Sequence, residues 1–384
     1  MKKLFPQEFK RILSLFIIWR VSLFVVAFLA TTLIPNFGAR FPYYNNLLIP
    51  TGLPSWIWGF GNFDGVHFLR IAMLGYEGSN LSQAFFPLYP LLIKIFAFGN
   101  QWFLSGFIVA NIFSLFSLFV FYKLVKLDFN EKVAWRSVLL LIVFPTSFYL
   151  GSIYSESLFI FLTISSIYLL RRKNYLGAGL LGGMAAATRL VGLILVPLFL
   201  AEIYQRRGEL KDISKKEIAK YVASIGLVGA GFLSYVYFLQ IRFANPLYFL
   251  SAPSQFGTGR ENMPLVLLPQ VLFRYFKMLV STPVISLPFL NAALEVLFTV
   301  IPLALLVLFF KRMRLSYWFF TLTCLVIPTL TGTFTSMPRY ALVSFLLLPL
   351  VAQKTERYFY LLILSLVLLG AILLGLFIRG YWVA

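Results

Sequence analysis

"ILSLFIIWRVSLFVVAFLATTLI" (residues 12–34) runs for 23 residues with a single charge, Arg20. An α-helix rises about 1.5 Å per residue, so this run is long enough to cross the ~30 Å hydrocarbon core of a bilayer. The basic head before it is a feature that signal peptides share. The apolar body is too long for one, however, and has no small-residue cleavage site, so we read it as a retained first transmembrane helix.

The rest of the chain agrees. Hydrophobic residues make up 60% of the 384, charged residues 12%, and mean hydropathy is +0.87, whereas an ordinary soluble domain carries about 25% charged residues. Stretches of about 20 apolar residues between charges predict further spans near 102–124, 134–150, 155–170, two within the hairpin 173–202, then 218–241, 284–310, 315–331, 339–353 and 357–378. With the first helix this gives an all-α polytopic protein of about eleven spans in a single domain, 1–384. Residues 35–100 and 242–283 remain as large loops. The first is rich in Trp, Tyr, Pro and Gly, a composition that collects at the headgroup level and predicts short interfacial helices. Residues 84–98, with two prolines and Lys94, read as partly inserted.

Lys and Arg outnumber Asp and Glu 33 to 13. With the N-terminus in the cytoplasm, 22 basic residues fall in inner segments, ten in outer ones and Arg20 within a helix. Such an inward bias is the orientation signal of membrane proteins, so the net charge of +20 calls for no nucleic-acid partner. One cysteine, Cys324, leaves no disulfide framework and no cysteine metal cluster. The absence of a visible 20-to-50-residue repeat argues against a repeat-built transporter.

This orientation places Asp64, His67, Glu156, Arg189, Arg260, Glu261 and Arg339 on the extracytoplasmic side. Asp64 opens "DGVHFLRIAMLGY", which reads as a helix capped by Asp64 and stopped by Gly75. A carboxylate set among Trp56, Trp58, Phe60, Phe63 and Phe68 is also partly desolvated, which favours proton acceptance. The only histidine, His67, follows one turn later and has no second histidine with which to hold zinc. Glu156 and Arg189 are each the single charge at the outer turn of a helical hairpin, where they would face a cavity or pair with one another. Arg339 follows a proline at the start of a short span, where it would act as an interfacial anchor or a ligand group. Arg20 and Glu295 fall mid-span and read as internal polar links.

One carboxylate amid arginines suits some reactions better than others. A glycosidase uses two carboxylates because its alkoxide leaving group must be protonated. A phosphate leaving group needs no such acid, and arginine can hold its oxygens in bidentate fashion. The set therefore suits transfer of a sugar from a polyprenyl-phosphate carrier. A transporter or flippase for a lipid-linked sugar is the rival from another class, and it would place its functional charges at mid-membrane.

"NFDGVHFLRIAMLGY", "AFFPLYPLL", "FPTSFYLGSIYSESLF", "AAATRLVGLILVP" and "SMPRY", in this order over residues 60–340, resemble the PIG-V family of mannosyltransferases within the GT-C class. The resemblance implies a GT-C fold and inverting transfer of mannose from a polyprenyl- or dolichyl-phosphate donor to a glycolipid or glycan on the extracytoplasmic face. It implies Asp64 as base, with the Tyr154-Ser155-Glu156 turn and the two arginine motifs at Arg189 and Arg339. Arg339, Arg189, Arg260 and His67 are then the expected phosphate-binding groups, and Glu156, Tyr154, Arg70 and Tyr89 contact the acceptor or support the site. No metal or other cofactor is expected. The chain departs from the family in carrying Phe63 where Trp usually precedes the aspartate, and His67 where an aromatic is common. Its compactness suggests a prokaryotic member. Transfer of a different lipid-linked sugar is the alternative within enzymes.

Overall fold

A computed structural model describes residues 6–38, 40–78, 81–206, 208, 214–251 and 265–383. The described residues form helices and no strands. The principal helices are α1 (Gln7–Leu33), α2 (Asp64–Leu74), α3 (Leu88–Phe96), α4 (Trp102–Val125), α5 (Glu131–Ile142), α6 (Glu156–Arg171) and α7 (Tyr175–Ala186). They continue as α8 (Leu195–Gln205), α9 (Lys215–Phe243), α10 (Leu268–Ser281), α11 (Leu287–Leu308), α12 (Leu315–Thr329), α13 (Leu348–Lys354) and α14 (Phe359–Ile378).

Five of these, α1, α4, α9, α11 and α14, are long and apolar enough to cross a membrane. They carry lipid-compatible side chains outward: Val21 and Phe28 on α1, and Leu361 and Leu368 on α14, are all at least half exposed. The other expected spans are shorter helices. α6 has 16 residues and is buried along nearly all its length. The expected span 339–353 is broken into the turn Met337–Tyr340, a 3₁₀ segment Ala341–Leu347 and α13, mostly packed inside, with Gln353 and Lys354 exposed at the end. Apolar composition alone cannot separate a helix wrapped by other helices from one facing lipid, because both environments are equally apolar. A count of eleven full spans therefore does not follow from apolar composition.

The central stack runs α4, α6, α7, α9. α7 is glycine-rich, and the reason lies at its crossing with α9. A Cβ on Gly231 would meet the carbonyl oxygen of Gly183 at 1.9 Å, and one on Gly179 would meet the Cα of Ser224 at 2.5 Å. The two backbones are in contact, the small-residue packing that lets helices associate where lipid removes the hydrophobic drive.

The first loop is built of short helical elements. It contains the short turns Tyr44–Leu47 and Ser55–Trp58, then α2 and α3. α3 buries Tyr89 and Ile93 and leaves Leu91, Ile95 and Phe96 about half exposed.

Candidate active site

Asp64 is set in place by its neighbours on the chain. The Asn62 amide donates to the carbonyls of Phe377 at 2.9 Å and Ile378 at 3.3 Å, tying the turn to the end of α14. The Tyr154 hydroxyl donates to the Asn62 carbonyl at 2.9 Å and accepts from the Asp64 N–H at 3.3 Å. Between them Phe63 holds φ +56°, a left-handed conformation uncommon for a bulky residue. Phe63, not Asp64, is the N-cap of α2, and no side chain caps it. The expected capping role of Asp64 is thus corrected: as first residue of the helix it turns its carboxylate elsewhere. Gly75, at φ +75°, does end the helix.

That carboxylate meets Arg339. Nη1 of Arg339 donates to Oδ2 of Asp64 at 2.5 Å, and its Nε lies 3.3 Å from Oε1 of Glu156. Glu156 in turn pairs with Nη1 of Arg189. The line Asp64, Arg339, Glu156, Arg189 alternates in sign and sums to zero. This matters because the side chains are only 20%, 7%, 5% and 17% exposed in that order. Isolated charges there would carry a desolvation cost of several kcal/mol each. Burial pushes the Asp64 carboxyl up, but the Arg339 guanidinium more than offsets it, leaving Asp64 below its ordinary range. The resting carboxylate is therefore a weaker base than its apolar flanks suggest.

Arg339 is positioned from several directions. Its guanidinium carbon lies 5.7, 5.5 and 5.4 Å from the ring centres of Tyr149, Tyr154 and Tyr340, a cation–π enclosure. The Thr146 hydroxyl donates to the Pro338 carbonyl at 2.7 Å and fixes the turn. Arg189 stands in extended conformation between α7 and the 3₁₀ segment Leu190–Ile194, at the turn of the expected hairpin.

The ion-pair line borders one cavity of about 770 Å³, within the size range of ligand pockets. Asp64, His67, Glu156, Arg189 and Arg339 form part of its wall, with Phe85, Phe249, Ile327 and Trp382 among the apolar groups. His67 is 3% exposed, stacks on Phe85 at 4.9 Å and meets Tyr43 edge-on at 5.7 Å. Burial pushes it down to about 4, the nearby Asp64 opposing this and Arg70 adding to it, so it is neutral near pH 7.

Other expected residues sit elsewhere. Arg70 does not line the cavity. It donates to the Ser82 hydroxyl at 3.3 Å and the Glu77 carbonyl at 2.7 Å, which makes it a clamp on the first loop. Tyr89 is fully buried behind the wall, its hydroxyl donating to the Gly106 carbonyl at 3.2 Å. Tyr154 is fully buried too and acts on the site through Asn62 and Asp64. Arg260 and Glu261 lie outside the described residues. Arg20 is not the polar link expected of it: its guanidinium sits 4.5, 4.4 and 4.3 Å from the rings of Phe24, Phe60 and Phe107, with no hydrogen-bond partner among the described residues. Glu295, read as an internal link, does hydrogen-bond Tyr275 but also lines the cavity. Thr335, Ser336 and Arg40, which the sequence did not single out, line it as well. The hydroxyl-rich run "TLTGTFTSMPRY" (329–340) was the available signal for the first two.

A family model described as Mannosyltransferase (PIG-V) matches residues 9–260. The GPI alpha-1,6-mannosyltransferase 2 of Rattus norvegicus is 29% identical over 265 residues, 62% of this chain and 52% of that protein. The Mus musculus protein of the same name is 28% identical over 54% of this chain and 47% of its own. The GPI mannosyltransferase 2 of Cryptococcus neoformans is 29% identical over 43% and 41%. The chain thus spans about half the length of the curated relatives it matches. The crystal structure of the Archaeoglobus fulgidus oligosaccharyltransferase, in complex with Zn and sulfate, aligns with 94% of this chain and 53% of its own, at 14% identity and a TM-score of 0.41.

Proposed function

We propose, from the premise that the chain belongs to the mannosyltransferase (PIG-V) family, that it is an inverting GT-C glycosyltransferase moving mannose from a polyprenyl-phosphate donor to a hydroxyl of a glycolipid or glycan. The observation that carries this reading is the pairing of Asp64 with Arg339 on the cavity wall. A carboxylate and a guanidinium in contact can serve two ends of one displacement, the hydroxyl that attacks and the phosphate that leaves.

In this reading the acceptor oxygen attacks the anomeric carbon as the carbon–oxygen bond to phosphate breaks, and configuration inverts. The acceptor proton passes to Asp64 and the electron pair leaves on the phosphate, which Arg339 and Arg189 hold. Arg339 restrains the basicity of Asp64 while the two are paired. A donor phosphate that shares Arg339 would relax this restraint, so the base strengthens when donor is present. Such coupling supplies proton transfer worth about 10²- to 10⁴-fold and limits it to the loaded site. Glu156, held between two arginines, fixes their spacing. No step is assigned to a metal.

Donor reaches the cavity from the bilayer. The short buried helices complete the remaining crossings to about eleven, with the N-terminus cytoplasmic and the cavity on the extracytoplasmic side, as the distribution of basic residues favours. Partners are membrane lipids, the lipid-linked sugar and the acceptor.

The test is incubation of the full chain in lipid nanodiscs with synthetic polyprenyl-phosphate mannose, glucose and aminoarabinose, followed by mass spectrometry of the products. Mannose transfer with inversion supports the reading, transfer of another sugar reassigns the donor, and the absence of transfer with all three overturns it.

A further inference from the structure

Glu295 is 7% exposed on α11 and lines the cavity that holds Asp64 and Arg339. A carboxylate partway along a membrane-crossing helix is costly unless it faces a cavity or partners, and here it has both. The Tyr275 hydroxyl, from α10, donates to Oε2 of Glu295. Tyr275 has one proton to give, so its other contacts must donate to it: the Phe334 N–H at 3.0 Å, and Thr333 Oγ1 at 2.9 Å. Thr333 Oγ1 is then approached by Thr335 Oγ1 at 2.8 Å and by the Thr335 N–H at 3.1 Å.

The donation from Tyr275 to Glu295 thus sets the direction of the whole line. Protons point from Thr335 through Thr333 and Tyr275 toward the carboxylate, while the line ends at a residue that is itself on the cavity wall, four positions before Arg339. A carboxylate offers about four lone-pair sites and a threonine oxygen two. The wall beside the ion-pair line is therefore rich in hydrogen-bond acceptors, the chemistry that receives the hydroxyls of a polyol. A staple between α10 and α11 alone would need neither the cavity position of Glu295 nor that of Thr335.

We propose that Glu295 and Thr335 form the sugar-hydroxyl subsite of this cavity, distinct from the arginines that take phosphate. This rests on the glycosyltransferase reading for the identity of the ligand as a sugar. Hydroxyls of that kind come either with the donor or with the acceptor, and two probes separate the sources: octyl α-mannoside, which has no phosphate, and a short-prenyl phosphomannose.

Quenching of tryptophan fluorescence reports both, since Trp382 lines the cavity. In the full chain in nanodiscs, Glu295→Gln is expected to weaken one probe about tenfold or more and Thr335→Val several-fold, with melting temperature unchanged. Loss for the mannoside assigns the subsite to the acceptor, and loss confined to the phosphomannose assigns it to the donor. Equal affinity of wild type and both variants for both probes, or no binding of either probe by wild type, overturns the proposal. If Glu295→Gln does not fold, Thr335→Val and Tyr275→Phe decide, the latter expected to disturb binding less than Thr335→Val. Binding through Glu295 without any sugar transfer would leave this subsite standing and remove the transferase reading. Transfer with unchanged probe affinities would do the reverse.

Discussion

Asp64 accepts a 2.5 Å hydrogen bond from Arg339, a residue 275 positions later in the chain. The same guanidinium approaches Glu156, so one cation sits between the half-buried Asp64 and the buried Glu156 and governs both. Most of the behaviour of the site should follow from that arrangement.

Asp64→Asn keeps an oxygen that can accept from Arg339, so the fold should persist while the base is lost. Sugar transfer should fall at least about a hundredfold, measured by product formation under saturating donor. Asn62 and Tyr154 hold the backbone independently of the carboxylate, so the chain should still fold, at a lower melting temperature because the line keeps one uncompensated positive charge. Turnover within a few-fold of wild type would remove Asp64 as the base.

Arg339→Ala leaves the half-buried Asp64 and the buried Glu156 without their shared cation. Breaking a buried pair costs about 3–5 kcal/mol, so the melting temperature should drop markedly and donor binding should weaken. Arg339→Lys retains one charge but cannot reach two carboxylates with a planar fork. It should recover part of the stability and little of the donor affinity. Unchanged phosphomannose binding in both variants would contradict a phosphate role for this residue.

At the α7–α9 crossing, Gly231→Ala would place a methyl group 1.9 Å from the backbone oxygen of Gly183. Backbone cannot rotate aside as a side chain can, so the helices must separate. Overpacking of this kind costs about 1–3 kcal/mol. Thermal unfolding in detergent should report a lower midpoint, while Gly226→Ala on the same helix, with nothing within 4 Å of its Cβ, serves as the neutral control.

The helices and the four residues of the ion-pair line were legible in the sequence for different reasons. A long lipid-facing helix such as α14 announces itself by composition. Asp64, Glu156, Arg189 and Arg339 announce themselves by scarcity, since a charge in an apolar stretch must find a partner. The Glu156–Arg189 pair was one of the two expectations, and the structure has it; the place of Arg339 was not legible, since nothing local says that it stands between Asp64 and Glu156 rather than beside either alone. Arg20 shows the limit of the scarcity argument. It too is a lone charge in an apolar run, yet it is enclosed by Phe24, Phe60 and Phe107, because aromatic faces can take a guanidinium where no carboxylate is at hand. Glu295 shows the converse, a charge read as internal that reaches the cavity wall through the register of α11.

His67 supplies a prediction in which the sign is decisive. Its folded value of about 4 lies below the ordinary histidine value of about 6.5. Between those values the unfolded chain binds a proton that the folded site refuses. Stability should therefore be complete above about pH 6.5 and decline as the pH falls toward 4, by about 3 kcal/mol at most. His67→Phe should keep the stacking on Phe85 and flatten this part of the profile, which thermal unfolding across pH 4 to 7 would measure. Asp64 acts in the same direction but lower: its carboxyl is held below the ordinary range, so the stability it adds is present above about pH 4 and lost only as the pH falls further. Because His67 is neutral through the physiological range, its replacement should leave no inflection missing from the activity profile between pH 6 and 8. An inflection there that vanishes in His67→Phe would show that the histidine titrates at the site and would overturn the buried neutral ring.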